Sequence, residues 1–134
     1  MNDSRRLLWV HVLHLLCDGV VATLLTLYLW KSSTLQVALT FRFLELLAMP
    51  LAIFVVGFIV DRFSAKTGFM IGIALLLAQL VAVLIVGERF QEWILLLSLL
   101  GGSSAIFRFL SLNALTQSVI SPANQSNFFA QMSV

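Results

Sequence analysis

Two histidines and an aspartate interrupt an apolar stretch near the amino terminus, which reads HVLHLLCDG at residues 11–19. On an α-helix each residue advances about 100°, so His11, His14 and Asp18 share a face about 60° wide. Imidazole and carboxylate groups can carry protons, and they can also bind a metal ion. A lone charge near the middle of a membrane span costs at least about 2.5–3.5 kcal/mol. We therefore expect these side chains to face a hydrated cavity or a partner helix and not lipid.

A second charge is expected inside the fourth apolar segment. Arg108 stands in a stripe of small and hydroxyl residues at helical spacing, formed by Gly101, Ser104 and Ser111. At 1.5 Å per residue, Arg108 lies between Asp18 and His14 in depth. The sequence predicts that Arg108 and Asp18 pair if the first and fourth helices are neighbours.

The second and third segments carry fewer polar groups. Arg42 and Glu45 are three residues apart, so they can neutralise each other on one helix face, and we expect a structural ion pair there in preference to a substrate site. In the third segment Gln79 is the strongly polar interior residue, while Gly68 and Gly72 permit close helix contact. We expect the third helix to be the most lipid-like.

Composition places the chain in the membrane class. Of its 134 residues, 60% are hydrophobic and 10% charged, and the mean hydropathy is +1.03, far from the composition of soluble domains. The net charge of +2 does not indicate nucleic-acid binding, because the basic residues flank apolar runs and form no patch. No nucleophile, base and orienting group share a face, so the sequence predicts neither an enzyme nor a cofactor.

We predict an all-α polytopic membrane protein with one domain over residues 1–134. Apolar segments long enough to cross the bilayer cover residues 7–30, 35–60, 68–87 and 92–118. Ser121 and Pro122 resemble the start of a fifth helix, so the chain reads as the amino-terminal portion of a larger protein. Basic residues favour one side, with Arg5, Arg6, Arg62 and Lys66 against Lys31 and Arg89. This distribution predicts a cytoplasmic amino terminus. We expect the membrane to be the cytoplasmic (plasma) membrane.

The segment GFIVDRFSAK at residues 57–66 resembles the loop between helices 2 and 3 of the major facilitator superfamily, roughly G-x-L-A-D-R-x-G-R-[RK]. The matching residues are Gly57, Ile59, Asp61, Arg62 and Lys66. Ser64 and Ala65 stand where the family has glycine and arginine. The preceding LELLAMPLAIFVV, with Pro50, and GGSSAIF in the fourth segment also resemble drug-exporter-like members.

The resemblance implies a twelve-helix secondary transporter that moves a small molecule, most like a proton-coupled efflux pump. Helices 1 and 4 would line the cavity, helix 3 would lie at the lipid-facing edge, and Asp61 and Arg62 would latch the two halves. Asp18 would be the proton-coupling acid, His14 an auxiliary proton or substrate group, and Arg108 the cation that tunes Asp18. A purely structural pair of Asp18 and Arg108 is the alternative. From the residues themselves, we expect Gly57 to permit helix approach and Asp61 to lie near the start of helix 3.

Other functions remain open. One is a self-contained four-helix multidrug exporter that dimerises; another is a non-transporting membrane fragment, and we expect no transport by the isolated 134 residues. Metal transport would use His14, Asp18 and His11, but only Glu45 adds an acidic ligand from another helix, and metal sites need three or four. We therefore predict no metal site. The expected partners are a small-molecule substrate, protons, lipids, and either the remaining helices or a second copy.

Overall fold

The computed structural model describes residues 3–119, which are helical apart from short links and contain no strand. Four α-helices and one 3₁₀ turn follow in chain order: α1 Asp3–Ser32, α2 Leu35–Arg62, α3 Ala65–Val86, the 3₁₀ turn Gly87–Trp93, and α4 Ile94–Val119. The expected start of a fifth helix, from about residue 122, lies outside the described residues.

Three stretches of the described chain are long and apolar enough to cross a membrane: Leu7–Lys31, Leu35–Arg62 and Ala65–Ser118. The third stretch is 54 residues long and contains α3, the 3₁₀ turn and α4. A membrane span needs about 20 apolar residues, so each stretch is at least long enough. Three long apolar helical stretches indicate a membrane protein.

The link between α2 and α3 is organised by a capping serine. The Ser64 hydroxyl accepts a hydrogen bond from the Thr67 backbone N–H at 3.1 Å, and its extended φ of −179° needs no glycine. Ser64 therefore caps the start of α3 at the position where the loop of the major facilitator superfamily has glycine. The expectation for Asp61 is wrong, because this residue lies in the last turn of α2 and not at the start of α3. There Arg62, not Asp61, complements the helix dipole.

The link between α3 and α4 is anchored by a buried phenylalanine. Gly87 has a φ of +51°, a conformation that favours glycine, and its position ends α3. Phe90 is fully buried and packs edge-on against Phe41 of α2, with the ring centroids 5.3 Å apart. The expected start of the fourth segment at residue 92 is therefore two residues early, since Trp93 still belongs to the 3₁₀ turn.

Cross-helix hydrogen bonds show that α3 and α4 are antiparallel and that α4 also contacts α2. On α3 and α4, the Ser104 hydroxyl donates to the Gly72 carbonyl at 3.0 Å and Gln79 Nε2 donates to the Leu97 carbonyl at 3.4 Å. Partner numbers fall on α4 as they rise on α3, so the two helices are antiparallel. The Ser98 hydroxyl on α4 lies 3.3 Å from the Phe41 carbonyl on α2.

Glycines bring α4 close to both α2 and α3. A Cβ at Gly72 would lie 2.6 Å from Arg108 Cγ, and a Cβ at Gly102 would overlap the Glu45 carbonyl oxygen. Both positions therefore require the absence of a side chain. At Gly57 a Cβ would meet no atom of the described chain within 4 Å, so the helix approach expected there does not involve residues 3–119.

The outer helix of this arrangement is α1 and not α3. Large apolar side chains of α1 are exposed along most of its length, including Trp9, Leu16 and Leu24. In α3, by contrast, the glycines and Gln79 are buried against α4. The expectation that α3 is the most lipid-like helix stays a prediction, since exposure within residues 3–119 does not show which side chains contact lipid.

Candidate functional site

The polar stripe of α1 is the face that packs against the other helices. Arg108 Nη2 on α4 lies 3.0 Å from Asp18 Oδ1, and His14 Nε2 lies 3.5 Å from Asp18 Oδ2. The His14 ring also packs edge-on against Phe69 of α3, with the ring centroids 6.1 Å apart. The structure thus brings Asp18, His14 and Arg108 into one group at the junction of three helices.

Arg108 is buried but only partly paired. Its side chain is 6% exposed, against 31% for Asp18. The Nε and Nη1 atoms have no hydrogen-bond partner in the described part of the chain, and the same holds for the buried hydroxyl of Ser111, one turn further along α4. An unpaired buried donor costs about 1–3 kcal/mol, and more when it is charged. This group therefore has unused donors that can bind acceptor atoms.

His11 makes a second contact between α1 and α4. Its Nε2 lies 2.7 Å from the Thr116 hydroxyl. That hydroxyl donates its own proton to the Leu112 carbonyl at 2.9 Å. When the Thr116 hydroxyl donates to the Leu112 carbonyl, its single proton is used and His11 Nε2 is the donor in the contact between the two helices.

Thr116 was missed by sequence reasoning because it lies outside the stripe of Arg108. Eight residues along a helix correspond to a rotation of about 80°, which moves Thr116 off that face. The signal that could have identified Thr116 was the register between the antiparallel helices α1 and α4. Once Asp18 meets Arg108, moving seven residues back along α1 and eight forward along α4 brings His11 to Thr116.

Arg42 and Glu45 form a second polar cluster, in which each guanidinium nitrogen of the arginine has a hydrogen-bond partner. Arg42 Nη1 donates to Glu45 Oε2, Nη2 to the Ala22 carbonyl of α1, and Nε to the Thr26 hydroxyl of α1 at 2.9 Å. All three guanidinium nitrogens thus donate hydrogen bonds. The sequence indicated the ion pair within α2 but not the connection to α1.

Gln79 extends this second cluster to α3. Its Nε2 donates to Glu45 Oε1 at 3.1 Å, and both side chains lie against Gly101 of α4, where a Cβ would overlap them. The cluster therefore connects α1, α2 and α3 and lies on the surface of α4. The role of Gln79 could not be read from its own helix, because its partner is on α2.

Two cavities meet at the contact between Asp18 and Arg108. One, of about 140 Å³, lies between this pair and the cluster of Arg42, Glu45 and Gln79. The other, of about 280 Å³, is lined by His14 and apolar side chains of α1 and α3, which include Leu13, Phe69 and Leu76. Asp18, Leu76 and Arg108 line both cavities. The pair is therefore accessible from two spaces of different polarity.

The remaining predicted residues are not brought to this site. Asp61, Arg62 and Lys66 are exposed at the link between α2 and α3, and they form no ion pair with other described residues. Within residues 3–119 there is also no group of three or more His, Cys, Asp or Glu side chains that could hold a metal ion. The arrangement suits proton exchange and the binding of a small polar group.

Comparisons of the chain with protein-family models, curated proteins and solved structures found no match.

Proposed function

We propose that this chain forms part of a secondary transporter that moves a small molecule across the membrane, with Asp18 as the proton-coupling acid. The resemblance of the loop at residues 57–66 suggests a transporter of the major facilitator type. In this proposal α1, α2, α3 and α4 each cross the bilayer, and the amino terminus lies in the cytoplasm. Antiparallel contacts between α3 and α4 support counting them as separate spans.

The observation that carries the proposal is the contact between Asp18 and Arg108 at the wall shared by two cavities. Ionisable residues inside membrane helices are costly and usually mark a pathway for ions or substrate. A pair with a structural role alone is stabilised best by full pairing and dense packing. Here two nitrogens of the arginine have no partner among residues 3–119, and the aspartate is partly exposed.

The geometry suggests how coupling would work. Ionised Asp18 holds Arg108 and therefore holds α1 against α4. When Asp18 takes up a proton, its attraction for the guanidinium weakens, and Arg108 becomes free to bind another group. His14, 3.5 Å from Asp18, is placed to pass a proton to or from that carboxylate. Transport then follows as α1 alternates between a position held against α4 and a position released from it.

Replacing Asp18 with Asn tests the coupling role. The protein, in the form made by the cell, would be reconstituted into liposomes that contain a fluorescent pH indicator. Small carboxylates, amines and neutral solutes would then be added in turn. We expect solute-dependent proton movement in the unmodified protein and its loss in Asp18→Asn, because an amide cannot exchange a proton at neutral pH.

Glu88→Gln is the matched control, since it also converts an acid to its amide but at an exposed position on the 3₁₀ turn. It should retain proton movement. Undiminished proton movement in Asp18→Asn would reject the coupling role. Solute transport without proton movement in the unmodified protein would support the transport function and reject the proton coupling.

A further inference from the structure

Arg108 has the geometry of a ligand site in addition to its contact with Asp18. Its side chain is more than nine-tenths buried, it lines both cavities, and two of its three guanidinium nitrogens have no partner among the described residues. Guanidinium is an obligate donor, so unused nitrogens can be satisfied only by acceptor atoms. The adjacent Ser111 hydroxyl is also without a partner among residues 3–119. A ligand that satisfies these donors must therefore present acceptor atoms.

The nearby acids do not supply these acceptors. Glu45 already receives hydrogen bonds from Arg42 and Gln79. Among the described residues Asp18 accepts from Arg108 Nη2, and its other oxygen faces His14. Each partnerless nitrogen, Nε or Nη1, has a parallel N–H only at Nη2, so a planar carboxylate can make two parallel hydrogen bonds to the guanidinium once Asp18 leaves Nη2.

The linings of the two cavities indicate the chemistry of the ligand. At about 140 and 280 Å³, both cavities have room for a small organic group next to Arg108, and both are open on one side, so their volumes set no upper limit on its length. The larger cavity presents apolar side chains, including Leu13, Phe69 and Ile73, next to Arg108. An apolar body could therefore lie against α1 and α3 while its charged end reaches the guanidinium.

We propose that Arg108 binds small monocarboxylates with an apolar body, and that such anions are the substrate class. The bound carboxylate takes the place of Asp18 on the guanidinium, and Asp18 takes up a proton from solution, so that anion and proton bind together without a change in net charge. The assignment of monocarboxylates as the substrate class rests on the proposed transport function. The assignment of a carboxylate-binding site at Arg108 does not rest on it.

Equilibrium binding of benzoate to the protein, in the form made by the cell and held in detergent micelles, tests the site, with empty micelles as the blank. Benzamide has nearly the same shape without the charge, and benzylammonium has the opposite charge. We expect saturable binding of benzoate and at least roughly tenfold weaker binding of the other two, the scale of a hydrogen bond to a charged group. Binding of benzoate should also take up protons from a weakly buffered solution.

Two variants separate a binding role from a structural one. Arg108→Gln should weaken benzoate binding by roughly tenfold or more, whereas Arg89→Gln, at an exposed arginine on the 3₁₀ turn, should leave it unchanged. Asp18→Asn should bind benzoate more tightly than the unmodified chain and without proton uptake, because it removes the competing carboxylate. A gain in affinity cannot result from misfolding, so Asp18→Asn decides the question even if Arg108→Gln fails to fold.

Three results would overturn the proposal: equal binding of benzoate and benzamide, unchanged benzoate binding in a folded Arg108→Gln, or no saturable binding of any probe, which would mean cavities filled by water only. These failures are distinct from failure of the proposed function. Loss of proton coupling with intact benzoate binding would leave the site in place. Proton-coupled transport of amines without benzoate binding would remove only the carboxylate site.

Discussion

Arg42 and Arg108 are both inside the helix assembly, but they differ in how their nitrogens are used. Each of the three guanidinium nitrogens of Arg42 donates to a named acceptor on α1 or α2. Arg108 has one partner, Asp18, and two nitrogens without any in the described part of the chain. The more completely buried of the two arginines is thus the less completely paired, with side chains 6% and 25% exposed.

This difference separates a cluster in which every guanidinium nitrogen is paired from the one for which we propose a function. A buried polar network that is fully satisfied holds one arrangement, because any movement leaves donors unpaired. A partly satisfied group gains from a new partner, so it is poised to bind or to rearrange. Around Arg42 hydrogen bonds connect three helices, and this arginine lines one of the two cavities, whereas Arg108 lines both.

The largest effect on stability is expected when the satisfied cluster is broken. Glu45→Leu leaves Arg42 Nη1 without its acceptor and Gln79 Nε2 with the Leu97 carbonyl alone. It should lower the free energy of unfolding by about 3 kcal/mol, the lower end of the range for removing one partner of a buried pair. Unfolding in mixed micelles followed by circular dichroism would measure it. Glu88→Leu, at an exposed acid, is the control and should change little. Equal effects of the two substitutions would contradict the structural role of the cluster.

A smaller loss is expected where glycine permits close packing on the satisfied side of the assembly. Gly102→Ala forces a methyl group against the Glu45 carbonyl oxygen and the Ala48 Cβ, so the free energy of unfolding should fall by about 2 kcal/mol. Gly57→Ala has open space and should instead stabilise α2 by about 0.5–1 kcal/mol. The same unfolding measurement compares both variants. A stabilising Gly102→Ala would mean that α2 and α4 lie further apart than described.

The smallest effect should come from the single hydrogen bond between His11 and Thr116, which connects the same two helices as Asp18 and Arg108. Thr116→Val removes the acceptor and should cost about 0.6 kcal/mol, the average for hydrogen bonds between membrane helices. Thr23→Val is the control, because the exposed Thr23 hydroxyl bonds only to its own helix at Gly19. A loss above about 2 kcal/mol, near or beyond the observed maximum, would show that α1 is held more tightly than the contacts around Arg108 suggest.

Much of the local structure could be predicted from the sequence. Apolar segments bounded by short polar links located α1, α2, α3 and α4 to within a few residues, because a span must exceed a minimum apolar length. The polar stripes of α1 and α4 could also be predicted from the sequence, since helical spacing places His11, His14 and Asp18 on one face. The errors were at the ends of helices. There the cap on Ser64 and the buried Phe90 determine where each helix stops and starts.

What the sequence determined by itself is therefore which side chains share a face, because helix geometry relates neighbours three and four residues apart. Only the tertiary structure decided which faces meet, and at which register. The partners of Gln79, Thr26 and Thr116 all lie on other helices, and no local pattern specifies them. The contrast between Arg42 and Arg108 has the same origin, since whether a buried charge is satisfied depends on acceptors that distant parts of the chain supply.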